Sequence, residues 1–449
     1  MLSTRNTLGF VLVTALAVSG CGVFKAAKKH GTPTLGERIP VLNYETRAEA
    51  EPELADLAVV LPPAETNADW NQPGGSAAKA NGQLTLPESL SQAWSVSIGK
   101  GSTGQRRLNA APVVQGGKVF TMDTSGDVKA FDAKSGHTLW QAQITLVSGT
   151  KKKKKSDNAA FGGGVSASDG RVFATTGYGI IAAFDANTGK QLWEQKTPTP
   201  LRGGPTVTNT RVYALSQDNQ LYSFSADKGE QLWTVSGTVE VAGLLGAGAP
   251  AVALDTVVVG FSSGELNALR AENGRTVWSD ALARTGRSTA MAALSDIDAS
   301  PVIDRGRVYA IGHGGRIAAL ELATGQRVWE RNFAGVSMPW LAGEFIYIVT
   351  LEGEVVCMKR ADGKVRWVLQ LPHYANVKKK SGPIGWSGPV LASERLFVTG
   401  SNKQMVVVSP YTGKQITSYK LSAPAYLPPV VANNMAYVLT DDGKLTAYR

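Results

Sequence analysis

Short apolar runs of about five residues, separated by Gly, Asp and Asn, recur along the chain from residue 89 to residue 449. One stretch reads Val113-Val114, Val119-Phe120, Val128 to Phe131 and Leu139-Trp140, with turn residues at Gly116-Gly117, Gly126 and Ser135-Gly136. Runs of this length between glycine turns predict strands, four to a unit. Glycine takes the positive φ of such turns at low steric cost. Proline and glycine interrupt the chain too often for a 3.6-residue stripe to survive, which excludes helical repeats of similar length.

The units keep a strict register. Pro112 precedes Trp140 by 28 residues, and the same interval separates Pro205 from Trp233, Pro250 from Trp278, Pro301 from Trp329 and Pro339 from Trp367. Val165 holds the proline slot before Trp193, and Pro389 leads to Thr417, where the aromatic is lost. Twenty-four residues after the slot stands a glycine: Gly136, Gly189, Gly229, Gly274, Gly325, Gly363 and Gly413. Four-stranded repeats of roughly 40–50 residues are the period of a β-propeller. The unit that starts at Pro429 has room for three strands before Arg449. Its fourth is predicted around Gln92-Ala93-Trp94, with Trp94 in the tryptophan slot. The expected fold is therefore all-β: an eight-bladed β-propeller over 89–449, four antiparallel strands per blade, the ring closed by an N-terminal strand. The slot tryptophans are expected to pack between neighbouring blades.

All length variation falls between the tryptophan slot and the next proline slot. These segments join the outer strand of one blade to the inner strand of the next, so they emerge on one face. Variable loops on a rigid scaffold are the usual site of function. The basic runs Lys151–Lys155 and Lys378–Lys380 lie there, as do Val241 to Gly246 and Leu294 to Asp298.

The N-terminus reads as an address. Arg5 precedes an apolar run, Leu8 to Val18, too short to span a bilayer as a mature helix. It ends in Val18-Ser19-Gly20-Cys21-Gly22, small residues before a cysteine, which resembles a bacterial lipobox. That resemblance implies a signal peptide over 1–20, removal of that peptide and lipidation of Cys21. With Gly22 rather than Asp after the cysteine, it also implies the outer membrane. Residues 21–88 lack a sustained period and are expected to form a lipid-anchored, largely irregular linker, with a short helix near Arg47 to Leu57. The other cysteine, Cys357, lies in an apolar strand and is expected to be a buried small hydrophobe.

Composition adds little about chemistry. With 43% hydrophobic and 18% charged residues the chain can bury a core. Its net charge of +10 points, for a secreted protein, to anionic lipid, envelope polymer or an acidic partner rather than to nucleic acid. The four histidines, His30, His137, His313 and His373, show no metal-ligand spacing. No phosphate loop, nucleophile elbow or zinc-protease motif occurs. Asp296 and Asp298 are two carboxylates where calcium takes six to eight oxygens. No catalytic residue, metal or cofactor is expected.

The unit Ala-x-Asp/Glu-x-x-x-Gly-x-x-x-Trp resembles the repeat of pyrroloquinoline quinone dehydrogenases, which implies the propeller subclass but not the cofactor. Lipobox, linker, eight such repeats and the run Leu294-Ser295-Asp296-Ile297-Asp298-Ala299-Ser300-Pro301 together resemble the BamB family, lipoproteins of the outer-membrane β-barrel assembly machinery. The resemblance implies a non-enzymatic scaffold on the periplasmic side of the outer membrane. Its implied partners are the POTRA modules of a BamA-like barrel subunit, other lipoproteins of the machinery, and unfolded outer-membrane proteins. It also implies partner-binding roles for Ala242, Leu244, Leu245, Asp296 and Asp298. Leu245 stands where the family usually has arginine. A quinone-dependent dehydrogenase-like propeller and an anchor on envelope polymer or anionic lipid are the other open readings.

Overall fold

The computed structural model describes residues 48–144, 162–240, 246, 248–282 and 295–449. It contains eight four-stranded antiparallel sheets and one two-stranded hairpin, Tyr374–Asn376 with Ser381–Pro383. The first blade runs through Val113–Gln115, Lys118–Met122, Asp127–Asp132 and Thr138–Gln143. Six more occupy 163–196, 206–236, 251–281, 302–331, 340–370 and 386–420. The eighth is composite: Val430–Ala432, Met435–Leu439 and Lys444–Tyr448 are completed by Gln92–Ser97. Trp94 pairs with Ala447 and Ser97 with Lys444, so the N-terminal strand closes the ring as expected.

Burial falls from the axis to the rim, and the residue types follow it. Inner strands are apolar and buried on both faces, as in Val257-Val258-Val259 and Ile346-Tyr347-Ile348. Outer strands alternate: in Thr138–Gln143 only Trp140 is buried. Polar residues dominate these edges, interrupted by single exposed apolar side chains such as Leu139, Leu192 and Leu232. A bulge in the third–fourth pair of each of the eight sheets creates this outline. Opposite Ala130 and Phe131 stand Trp140 and Thr138, so Leu139 is the extra residue and points outward.

The bulged tryptophans lock the seams. Each indole Nε1 donates to a carbonyl in the next blade's third–fourth turn. Trp94 bonds Ala133 at 3.1 Å, Trp140 bonds Ala186 at 3.0 Å, and Trp193 bonds Ala226 at 3.1 Å. Trp233, Trp278, Trp329 and Trp367 continue the series with Ala271, Leu322, Arg360 and Pro410. The glycine of that turn lies under the ring. At Gly229, φ is 72° and a Cβ would stand 2.5 Å from Trp193 Cε3. The invariant spacing of glycine and tryptophan thus comes from a contact between blades.

Residues 48–88 differ from the expected linker. They are irregular apart from the single 3-10 turn Pro52–Leu54, but they are not a free tether. Trp70, Lys79, Leu84 and Leu86 are buried, and the segment between Asn67 and Leu84 bonds the innermost strand or first turn of all eight blades. Trp70 and Val114 exchange two backbone hydrogen bonds, at 2.8 and 2.7 Å. Ala167, Val252 and Ile303 donate their N–H groups to the carbonyls of Asn71, Ala77 and Ala78. Val207 N donates to Gln72 Oε1, and Trp340 Nε1 donates to Gly82 O. Leu84 N donates to Leu391 O, and Asn433 N to Asn67 O. The indoles of Trp70 and Trp340 stack on the axis at 6.1 Å. An innermost strand has one unpaired edge, and buried backbone groups need partners; residues 67–84 supply them. The contacts fall on the last residues of the inner strands and on their first turns, as where Gly116 N meets Asp69 Oδ1. The segment therefore enters from the face opposite the connectors.

Candidate partner-binding face

The described parts of two connectors predicted to carry function meet at the other end of the axis. Arg202 stands three residues before Pro205, and Asp298 three residues before Pro301. Equivalent positions before two inner strands bring both side chains to the mouth of the ring, across the blade between them. Arg202 Nη2 lies 2.7 Å from Asp298 Oδ1 and 3.8 Å from Asp296 Oδ1. The three side chains are 2%, 6% and 1% exposed.

This cluster is an internal pin. Burial pushes the Asp298 carboxyl up to about 6; Asp296 adds to that, while Arg202 and His313 oppose it. Backbone bonds hold the connector below: Ile297 N donates to Phe261 O at 3.1 Å, and His313 N to Asp296 O at 2.8 Å. Ile297 occupies the space a side chain at Gly260 would need, with Cγ2 only 2.3 Å from such a Cβ. Gly246 packs on Asp298 in the same way: a Cβ there would stand 1.6 Å from Oδ1. Three connectors, at 202, 246 and 296–298, therefore meet at one ion cluster.

Asp296 and Asp298 are thus brought together as the run Asp-Ile-Asp implied, but they do not offer free carboxylates at the surface. Arg202 occupies them from within the chain. It was missed because an arginine in Thr197 to Pro205 carries no motif. Its only signal was its place, matching that of Asp298 relative to the following proline. Ala242, Leu244, Leu245 and Cys21 lie outside the described residues, as do Lys151–Lys155. Lys378–Lys380 form the exposed tip of the hairpin. Among the described residues no cluster of His, Cys, Asp and Glu could hold a metal ion. Cys357 is fully buried between strands, and burial pushes its thiol well above the usual range, as for a packing residue.

A rigid ring with its variable loops gathered on one face defines a propeller scaffold of the quinoprotein-repeat class. Within that class the chain belongs to the family described as outer membrane protein assembly factor BamB, whose model matches residues 80–159, 124–369 and 375–449. The BamB of Escherichia coli K12 is 32% identical over 353 residues, spanning 78% of this chain and 86% of that relative. The BamB of Xanthomonas campestris is 32% identical over 374 residues, 79% of this chain and 85% of the relative. Among solved structures, BamB from Moraxella catarrhalis superposes with a TM-score of 0.68 at 19% identity, covering 80% of this chain and all of that one. A europium-containing methanol dehydrogenase superposes with a TM-score of 0.65 at 16% identity, over 83% of this chain and 90% of its own. The shared fold thus spans assembly factors and enzymes, and the sequence relatives are named as assembly factors. Residues 48–79 precede the stretches that the family model matches.

Proposed function

We propose that this protein is a lipid-anchored scaffold of outer-membrane protein assembly, tethered through Cys21 on the periplasmic face of the outer membrane. In this reading it docks on POTRA modules of a BamA-like subunit, works beside the machinery's other lipoproteins, and assists folding and insertion of β-barrel clients. Membership of the BamB family is the observation that carries it. The docking surface is the connector carrying Ala242, Leu244 and Leu245, supported by Asp296 and Asp298. Because Arg202 engages both carboxylates from within the chain, they act by holding that connector in place, and the leucines supply the apolar contact. An apolar patch whose charges are satisfied within one partner needs no matching cation on the other. That removes the difficulty of Leu245 at the family's arginine position.

Pull-down with the periplasmic region of the barrel subunit tests this. Leu244→Ala/Leu245→Ala is expected to weaken capture by tenfold or more. Asp296→Ala/Asp298→Ala is expected to weaken it as well, with altered proteolytic sensitivity at residues 241–246. Capture unchanged in both variants would rule out this docking site.

A further inference from the structure

One sector of the connector face is rich in cations. Connectors 98–112 and 371–385 carry Lys100, Arg106, Arg107 and Lys378–Lys380 and no acid of their own, and connector 421–429 between them carries no charge; the strand turns beside them supply Glu352, Asp441 and Asp442. The neighbouring connector 332–339 is uncharged, and across the ring Arg202 is held by Asp296 and Asp298. The basic side is also built. The hairpin Tyr374–Asn376 with Ser381–Pro383 lifts Val377 and Lys378–Lys380 off the ring. Its base is held by the stack of His373 on Tyr374 at 4.3 Å and by His373 Nδ1 at 3.3 Å from Glu352. Asn376 Oδ1 accepts from Lys379 N at 3.0 Å and fixes the tip. Val377 is 73% exposed, and none of the three lysines has an ion pair among the described residues. The surface continues through Tyr426, 46% exposed, to Arg107, whose guanidinium lies 5.5 Å from the centre of the Tyr426 ring and is paired with Asp441 at 3.2 Å, so the unpaired charge of the arc is that of the hairpin lysines.

We propose that this arc, centred on Val377, Lys378, Lys379, Lys380 and Tyr426, is a docking surface for an anionic lipid bilayer. Three features favour a bilayer over an acidic protein. The charges are lysines, compact point charges on flexible stems, not the planar forks that read carboxylates two at a time. Their stems flank an exposed valine, and a tyrosine lies nearby; lysine and tyrosine place apolar bodies at an interface and polar tips in water. The tip projects outward instead of lining a groove, so it fits a flat surface of repeated charge. Each basic residue near an anionic membrane adds about a fivefold gain in partitioning. The proposal is independent of the docking site on the opposite side of the face.

Co-sedimentation of the full chain with vesicles tests it. All variants keep the same N-terminus, so any anchoring there is common to every arm. Vesicles of phosphatidylcholine with 30% phosphatidylglycerol are compared with phosphatidylcholine alone. The chain is expected to bind the anionic vesicles more tightly, and to lose that excess as salt rises. Lys378→Gln/Lys379→Gln/Lys380→Gln should cut the excess about a hundredfold, and Val377→Asp should cut it too. Lys134→Gln/Lys190→Gln/Lys228→Gln, the same charge change on exposed turns of the opposite face, should leave it intact. Equal binding to both vesicles, or equal loss in both triple variants, overturns the proposal. So does failure on vesicles with hairpin-dependent binding to polyglutamate, which would assign the arc to an acidic polypeptide.

Discussion

Seven seams of this ring share one device, and the seam between blades seven and eight has another. At the seven, a tryptophan crosses to a glycine turn and donates to its carbonyl. At the eighth the slot holds Thr417, exposed on an outer strand. The receiving turn is missing too, because the third and fourth strands of blade eight come from distant parts of the chain. Ser91 and Arg449 exchange backbone hydrogen bonds there instead. The axial segment bridges the gap. Leu84 N donates to Leu391 O and Leu84 O accepts from Ser393 N in blade seven, while Asn67 Nδ2 donates to Val431 O in blade eight at 2.7 Å. A tryptophan was no use where nothing could receive it. Where the split blade lacks the tryptophan device, the axial segment that touches every blade supplies cross-seam hydrogen bonds instead.

The largest effect is expected at a repeated seam. Trp193→Ala removes a buried indole and its bond to Ala226, and should cost about 5 kcal/mol in denaturant unfolding. A cost below about 1 kcal/mol, the size of a single net hydrogen bond, would mean the seams are held elsewhere. On the axis, Arg202→Met leaves Asp296 and Asp298 buried without their cation, expected to cost about 3–4 kcal/mol at neutral pH. Arg202 opposes the burial that pushes the Asp298 carboxyl up to about 6, so without it that carboxyl should protonate at a higher pH still, and the deficit should shrink as the pH falls towards 6 and be flat below it.

Lys79 sharpens the contrast from the other end of the axis. Its ammonium is buried against Pro73 O at 2.7 Å and Thr206 Oγ1 at 3.3 Å, and burial pushes it down to about 7. Unfolded, the amine keeps its proton to about 10.5. Between those values the unfolded chain binds the extra proton, so stability should rise with pH by a few kcal/mol and be flat below 7. Lys79→Met should be more stable at pH 7 and lose that slope; melting curves at pH 7 and 9.5 decide it.

The brace itself is worth less. Asn67→Ala should cost about 1 kcal/mol, and should speed amide exchange in Gln415–Lys420 and Val430–Ala432 while Thr138–Gln143 stays protected. Exchange rising evenly around the ring would separate the axial segment from that seam. Smallest is Thr417→Trp, expected within about 0.5 kcal/mol of the parent. A clear gain in stability would show that the seam lacked only its tryptophan.

The blades were legible because they repeat. A 28-residue interval, a glycine at a constant offset and Trp94 completing a three-stranded unit determined strand order, blade number and closure from the sequence alone, since each signal is local and recurs. The acidic pair at 296 and 298 was legible as a motif. That Arg202 occupies it was not, because that contact joins residues 96 apart with no shared pattern. The axial segment was hidden for the same reason. Ser76-Ala77-Ala78-Lys79-Ala80-Asn81 has the small, polar composition of a linker, and nothing local distinguishes a solvated lysine from a buried one. Its partners are the unpaired edges of inner strands that lie more than a hundred residues further along the chain. Those edges meet only when the ring has closed, so only the tertiary structure could decide that this stretch belongs to the axis and not to the tether.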